Sequence, residues 1–403
     1  MTLTNHRNMI ILFGIIILII AMGLRQSFGL FIPTFTENYS ISRGDFGLTL
    51  AIQHLLFGLA QPFIGYLSDR YGNDKVLIIG SFLYAAGLFL VTQVNSAFGL
   101  HISLGFIVGL ALSATTYVVV LGAIAKVVSE KKRGTVFGMA TAAGSFGMFI
   151  FIPITDGLLS HLELNSIFYI FCTISLIIAF LGFFIKENKH NTTTNQNDEA
   201  SIMQSLRCSK THSGYWKLNI GFFVCGFHVA FIATHFPTYL MDSGLDSKSA
   251  MYAFSLIGLL NIFGSFMFGA LGDKFSKRNL LTILYFLRSI IFSLMLILPL
   301  TNTSAIVFGA LIGFVWLATV PLTSGLVAQI FGVKALATLY GIVFLSHQIG
   351  SFLGAWVGGL VYDYYGSYDA IWWACVVLSI LAAVIHINMD DKKLIITNTA
   401  KNH

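Results

Sequence analysis

Apolar positions along this chain neither alternate with polar ones nor recur as one stripe of a helix; they fill whole runs on every face. We read twelve such runs, near 9–32, 46–67, 75–95, 98–126, 134–157, 164–185, 216–240, 250–271, 279–300, 303–330, 337–361 and 368–389. Each approaches or exceeds the roughly 20 residues that a helix needs to cross a ~30 Å hydrocarbon core. Lacking the alternation of a membrane strand, they predict helices and not a barrel. The first run follows His6 and Arg7 in the manner of a secretory signal. It continues to Ile32 without a small-residue cleavage site and is read as a retained helix.

Composition agrees with lipid as the main solvent. Of 403 residues, 56% are hydrophobic and 10% charged, against about 25% charged in an ordinary soluble chain. The net charge of +6 raises nucleic acid as a partner, but its distribution argues otherwise. Counted by side of the membrane, 19 of the 23 Lys and Arg fall on the side of the N-terminus, in the tails and the even-numbered loops. Only Arg43 and Lys248 lie opposite, and Arg25 and Arg288 fall inside runs. The basic excess therefore reports topology, with both termini in the cytoplasm of a multi-pass inner (plasma) membrane protein. No nucleic acid is expected. Cys172, Cys208, Cys225 and Cys375 are scattered without paired spacing, so no disulfide framework, metal or cofactor is expected.

Shifting the second half by 204 residues lays it over the first. Pro33-Thr34-Phe35 falls on Pro237-Thr238-Tyr239, Gly65 and Asp69 on Gly269 and Asp273, and Gly105, Gly109 and Thr115 on Gly309, Gly313 and Thr319. The chain thus divides into a six-helix bundle over 1–185, a polar cytoplasmic linker over 186–215, a second bundle over 216–391 and a tail over 392–403. The predicted class is an all-α membrane protein of twelve helices in two repeats. Parallel six-helix repeats hold a solute between their halves near the midplane in one large class of secondary transporters.

The loop Gly65 to Lys75, GYLSDRYGNDK, and its copy Gly269 to Asn279, GALGDKFSKRN, join the second helix of each half to the third. They resemble the signature loop of the major facilitator superfamily. That resemblance implies a gate built from Gly65, Asp69, Arg70, Gly269, Asp273 and Lys274. The glycines would permit close helix approach, and the aspartates would face the positive end of helix eleven or five. Both copies depart from the pattern, with Asn73-Asp74 where basic residues are usual and Ser276 in place of a glycine. Glycines in run five (Gly134, Gly138, Gly144, Gly147) and run eleven (Gly341, Gly350, Gly354, Gly358) offer faces on which helices could slide. Within the superfamily, RQSFGLFIP, YGNDKVLIIG and EKKRGTVFGMATAAGSFG resemble the monocarboxylate and oxalate-formate group. The acid and arginine pair common in helix eight of that group is absent; Asn261-Ile-Phe-Gly-Ser265 stands there.

Arg25 is the leading substrate candidate, since an intramembrane charge is functional by default and guanidinium suits a carboxylate. Tyr117, His228, Asn261, Trp316, Thr319, His347 and Gln348 could complete a cavity with an aromatic wall and a few hydrogen bonds. Interhelical packing is the competing reading of each. Arg288, His54 and His235 are candidates for charge or proton coupling, histidine being the side chain that titrates near neutrality. With cations but no acid deep in any run, the expected solute is a small organic anion, a monocarboxylate, moved by a monomer through alternating access with protons as the candidate coupling ion. An efflux transporter for drugs or another metabolite is the first alternative, and a membrane receptor or scaffold the second. No enzyme is expected, since no nucleophile with a base and no GxxxxGK[ST] loop occurs.

Overall fold

The computed structural model describes residues 3–128, 130–185, 204–332 and 336–394. Twelve long helical stretches follow the twelve apolar runs, with no strand among the described residues. The first, α1 (Leu3–Gln26), passes through a tighter turn at Phe28–Phe31 into Ile32–Tyr39. Then come α2 (Arg43–Tyr71), α3 (Asn73–Val91), and α4, whose last two segments (Val108–Thr115, Tyr117–Val127) break at Thr116. They are followed by α5 (Glu130–His161) and α6 (Leu164–Gly182). The second set is α7 (Ser213–Asp242), α8 (Ser247–Lys274), α9 (Lys277–Ile297), α10 (Asn302–Phe314 and Thr319–Phe331), α11 (Leu336–Tyr365) and α12 (Asp369–Ile387).

Length and hydropathy mark eleven spans among the described residues. Within the apolar stretch of α2 lie Gln53 and His54, both buried, so its polar side chains are spent inside the protein. Helix starts repeat as well: Ser42 caps α2 by accepting from the Asp45 amide, and Asp246, 204 residues on, caps α8 by accepting from the Ser249 amide.

Buried apolar side chains form two cores, one drawn mainly from residues 10–185 and the other mainly from 215–389. The same pairings hold each together: α1 with α5, α3 with α6 and α2 with α4, then α7 with α11, α9 with α12 and α8 with α10. The two sets meet along α2 with α11 and along α5 with α8. Gly144 and Gly147 of run five and Gly350, Gly354 and Gly358 of run eleven serve the pairings inside each set. A Cβ at Gly147 would strike the Ile19 carbonyl, and Cβ atoms at Gly350 and Gly354 would strike the carbonyls of Phe223 and Phe227. Where the sets meet, the close-approach glycines include Gly44 and Gly47 on α2, Gly359 on α11 and Gly258 on α8. Gly134 and Gly138 belong to α5, but their packing lies outside what is described, and most of the 186–215 linker and the tail beyond 394 lie outside the described residues.

Candidate functional site

Arg25 occupies the last turn of the first α1 segment, where a cation complements the helix dipole. Its Nη2 donates to His54 Nδ1 at 2.7 Å, and its Cζ lies 5.4 Å from the Phe57 ring centre. Arginine only donates, so this bond requires His54 to be neutral with its proton on Nε2. Arg25 and Gln26 of α1, Gln53 and His54 of α2, and Ala233 and Thr234 of α7 border a narrow cleft between the two sets. Pro237 has no N–H to offer the Ala233 carbonyl four residues back, so that acceptor is released at the cleft. Gly29 lies so close to the Ala233 and Thr234 carbonyls that only glycine fits. Arg25 Nε and Gln348 Oε1 are buried with no partner among the described residues.

His347 enters from α11, within electrostatic reach of His54. Its ring stacks on Phe344 at 5.8 Å and 6° and lies 4.7 Å from Phe222. Phe344 in turn meets Phe57 edge-on at 6.2 Å, so aromatic side chains of both sets close one wall. Gln348 packs against Gly58. Tyr117, half-buried on α4, lies within electrostatic reach of Arg25.

The other candidates gather where α10 is interrupted. Arg288 is 1% exposed and donates from Nε and Nη2 to the Val315 carbonyl at 3.2 and 2.8 Å, and from Nη2 to the Trp316 carbonyl. Asn261 accepts from the Leu317 amide and the Ser265 hydroxyl, both at 2.9 Å, and donates to Ser145 of α5 at 2.7 Å. Together they replace the backbone bonds that the break removes. Thr319 meets Cys225 at 3.2 Å, and Trp316 is buried within the interruption. His228 is buried against Phe292 at 4.9 Å, with neither ring nitrogen partnered among the described residues.

His235 lies at the end of the molecule that bears Arg43. Its Nε2 donates to the Ala355 carbonyl at 2.7 Å, and its Nδ1 accepts from Tyr368 Oη at 3.2 Å. Arg43 donates to both carboxylate oxygens of Asp242 and, at 3.3 Å, to Tyr368 Oη, while its guanidinium lies 3.7 Å from the Tyr362 ring centre. Asp363 of α11 accepts from the first amides of α2, Arg43 N at 3.1 Å and Gly44 N at 2.6 Å. Ser247 of α8 donates to Asp156 of α5 at 2.8 Å. Ser255 donates at 2.7 Å to the Phe149 carbonyl, which Pro153 leaves without its helical amide. The Arg43 end is therefore sealed by a charged network joining the two sets. Toward the opposite end of α2, Phe63 and Tyr66 are 73% and 59% exposed.

Two bundles joined at one end by a charged network, around a cationic cleft, have counterparts among known proteins. The family profile of the Major Facilitator Superfamily matches residues 12–324. The chain belongs to this superfamily. A Bacillus subtilis relative described as an uncharacterized MFS-type transporter, YcxA, is 24% identical and covers 94% of each chain. Another from Escherichia coli, YhjX, is 26% identical over 87% of this chain and 88% of its own. Rat monocarboxylate transporter 13 is 22% identical over 87% and 81%. Among solved structures, a bacterial homologue of the human lysosomal transporter Spinster, in an inward-facing, unoccupied conformation, superposes with a TM-score of 0.74. It is 15% identical and covers 94% of this chain and 96% of its own.

The signature loops of this superfamily member differ for a conformational reason. Gly72 has φ +102°, which only glycine adopts readily. Ser276, its copy, has φ −59° and caps α9, so glycine is unnecessary there. Gly65 and Gly269 face the second segments of α4 and α10, with Val118 at 3.5 Å and Pro321 at 3.7 Å from an added Cβ. Asp273 and Lys274 are exposed; the side chains of Asp69 and Arg70 lie outside the described residues. The Arg43, Asp242 and Asp363 network was missed from sequence. Its residues look like ordinary loop charges, and only Pro33 and Pro237 at equivalent positions signalled specialised ends.

Proposed function

We propose that this protein is a secondary active transporter that moves a small organic anion, a monocarboxylate, across the plasma membrane by alternating access. The observation that carries the reading is Arg25, a cation in the cleft between the bundles whose one hydrogen-bond partner among the described residues is a neutral histidine. An arginine without a carboxylate partner in a low-dielectric cleft is a ready receptor for a carboxylate. Tyr117, His347, Gln348 and the aromatic wall of Phe57 and Phe344 suit a short apolar body attached to that carboxylate. Distant likeness to monocarboxylate transporters supports the same class.

The end opposite Arg43, which holds the basic loops, faces the cytoplasm together with both termini. In this arrangement the bundles over 1–185 and 216–391 rock about the cleft. The present state is open inward, and the duplicated loops around Asp69, Arg70, Asp273 and Lys274 close that end when the Arg43 end opens. Asn261, Arg288, Trp316 and Thr319 shape the second bundle's wall, with His228 behind it.

Uptake of radiolabelled lactate, pyruvate, oxalate, amino acids and cationic dyes into proteoliposomes tests the reading. Saturable carboxylate uptake that falls at least about 100-fold in Arg25→Ala supports it, a lost buried charge-assisted contact costing about 3 kcal/mol or more. Transport confined to neutral or cationic solutes and indifferent to Arg25→Ala overturns it and leaves efflux of such compounds.

A further inference from the structure

We propose that His54 is where a proton boards with the substrate, because His54 and the substrate carboxylate compete for the same guanidinium. The inference rests on Arg25 being the carboxylate site. In the unloaded protein His54 Nδ1 accepts from Arg25 Nη2 at 2.7 Å, so that nitrogen holds a lone pair and no proton. Protonating Nδ1 abolishes the bond and sets an imidazolium against a guanidinium. A carboxylate placed between them relieves that repulsion, one oxygen accepting from Arg25 and the other from the new His54 N–H. Proton and anion therefore raise each other's affinity, and by linkage the effect is reciprocal.

Charge conservation gives the consequence for transport. The empty site holds Arg25 as a cation and His54 neutral, a net charge of one. The loaded site holds two cations and one carboxylate, again one. A carrier whose site charge is the same loaded and empty moves one proton with each monocarboxylate and no net charge.

The surroundings offer few rivals for the proton. Tyr84 of α3 and Tyr117 of α4 act on Arg25 and remain neutral phenols near neutral pH. His347 of α11 faces His54, but it stacks between Phe344 and Phe222, and its Nδ1 lies 3.4 Å from Ser351 Oγ. Gln53 and Thr234, which also border the cleft, do not titrate. No Asp or Glu borders the cleft among its described residues.

The direct test is proton uptake by the purified, detergent-solubilised full chain in weak buffer as lactate is added, read with a pH indicator alongside lactate binding by equilibrium dialysis. We expect about one proton per lactate bound in the unaltered protein. Saturable lactate binding without proton uptake overturns the proposal while leaving the carboxylate reading intact; absence of binding by any carboxylate of the panel overturns the reading itself. In proteoliposomes, His54→Gln, whose amide oxygen still accepts from Arg25, should lower the ratio of gradient-driven uptake to lactate exchange about tenfold. An unchanged ratio, or the same loss in His347→Gln with His54→Gln unaffected, also overturns it.

Discussion

Two arginines lie inside apolar runs, and sequence favours Arg25 as the substrate ligand; their surroundings divide them in the same sense. Arg25 has one partner and an unsatisfied Nε at a cleft, whereas Arg288 is spent on the carbonyls that the α10 interruption leaves open. Arg288→Ala should accordingly act on stability, stranding the Val315 and Trp316 carbonyls at about 1–3 kcal/mol each. A thermal midpoint lowered by several degrees, at roughly 2–4 °C per kcal/mol, is the expected result in a detergent melting assay. Arg25→Ala should leave that midpoint within a few degrees while removing uptake. Asn261 makes the same point from the polar side. All its described bonds go to protein, two to the α10 interruption and its own helix and one to Ser145 of the other bundle. Such a role was not legible in the sequence, because nothing in Phe314 to Thr319 announces a break: the stretch contains neither glycine nor proline.

Elements were legible wherever length and hydropathy dominate, and their boundaries shifted mostly by a few residues. The informative element is α2, an apolar run whose few polar residues include His54 and Gln53 of the cleft. Contact glycines were legible as small residues but not as to partner, since the faces of α5 and α11 looked equally suited to sliding. Packing assigns Gly147, Gly350 and Gly354 to permanent contacts within a bundle, and Gly44, Gly47 and Gly359 to the contact that must open. Gly47→Leu therefore obstructs closure of the Arg43 end, because its side chain would occupy the place of the Ala355 backbone. Alkylation of a cysteine introduced at Gln53 by an impermeant reagent added from that side should quicken about tenfold, a shift of about 1.4 kcal/mol. Gly350→Leu, by contrast, should reduce the yield of folded protein without that change in labelling. At Gly72, Gly72→Ala should cost about 1–2 kcal/mol for its left-handed backbone.

At the scale of the whole molecule, the offset of 204 made the two-bundle plan legible because duplication preserves spacing. Which end is closed was not legible, because the charges that close it lie far apart in sequence, Arg43 from Asp242 by 199 residues and from Asp363 by 320. The seal is also asymmetric with respect to the repeat: the position equivalent to Arg43 is Ser247, which binds Asp156 through a hydroxyl. One side of the interface thus holds a bidentate ion pair with two helix-end bonds to Asp363, and the other only neutral donors, Ser247 at that end with Ser255 and Asn261 deeper along α8. Opening should begin at α2 and α11, with α5 and α8 nearer the pivot. If so, Arg43→Ala favours the state open at that end by about tenfold, since a partly exposed charge network contributes on the order of 1 kcal/mol or somewhat more. Spin labels at Ser40 and Ser243, both exposed at that end, would report a longer distance distribution in Arg43→Ala and in Asp242→Asn. Removing the Ser247 hydroxyl with Ser247→Ala should move the same distribution much less. Exchanging the charges, Arg43→Asp with Asp242→Arg, should restore part of the short-distance population, though Asp363 would then repel the new aspartate. Equal shifts from the two sides would mean that the bundles part evenly and that the ion pair does not decide where opening starts.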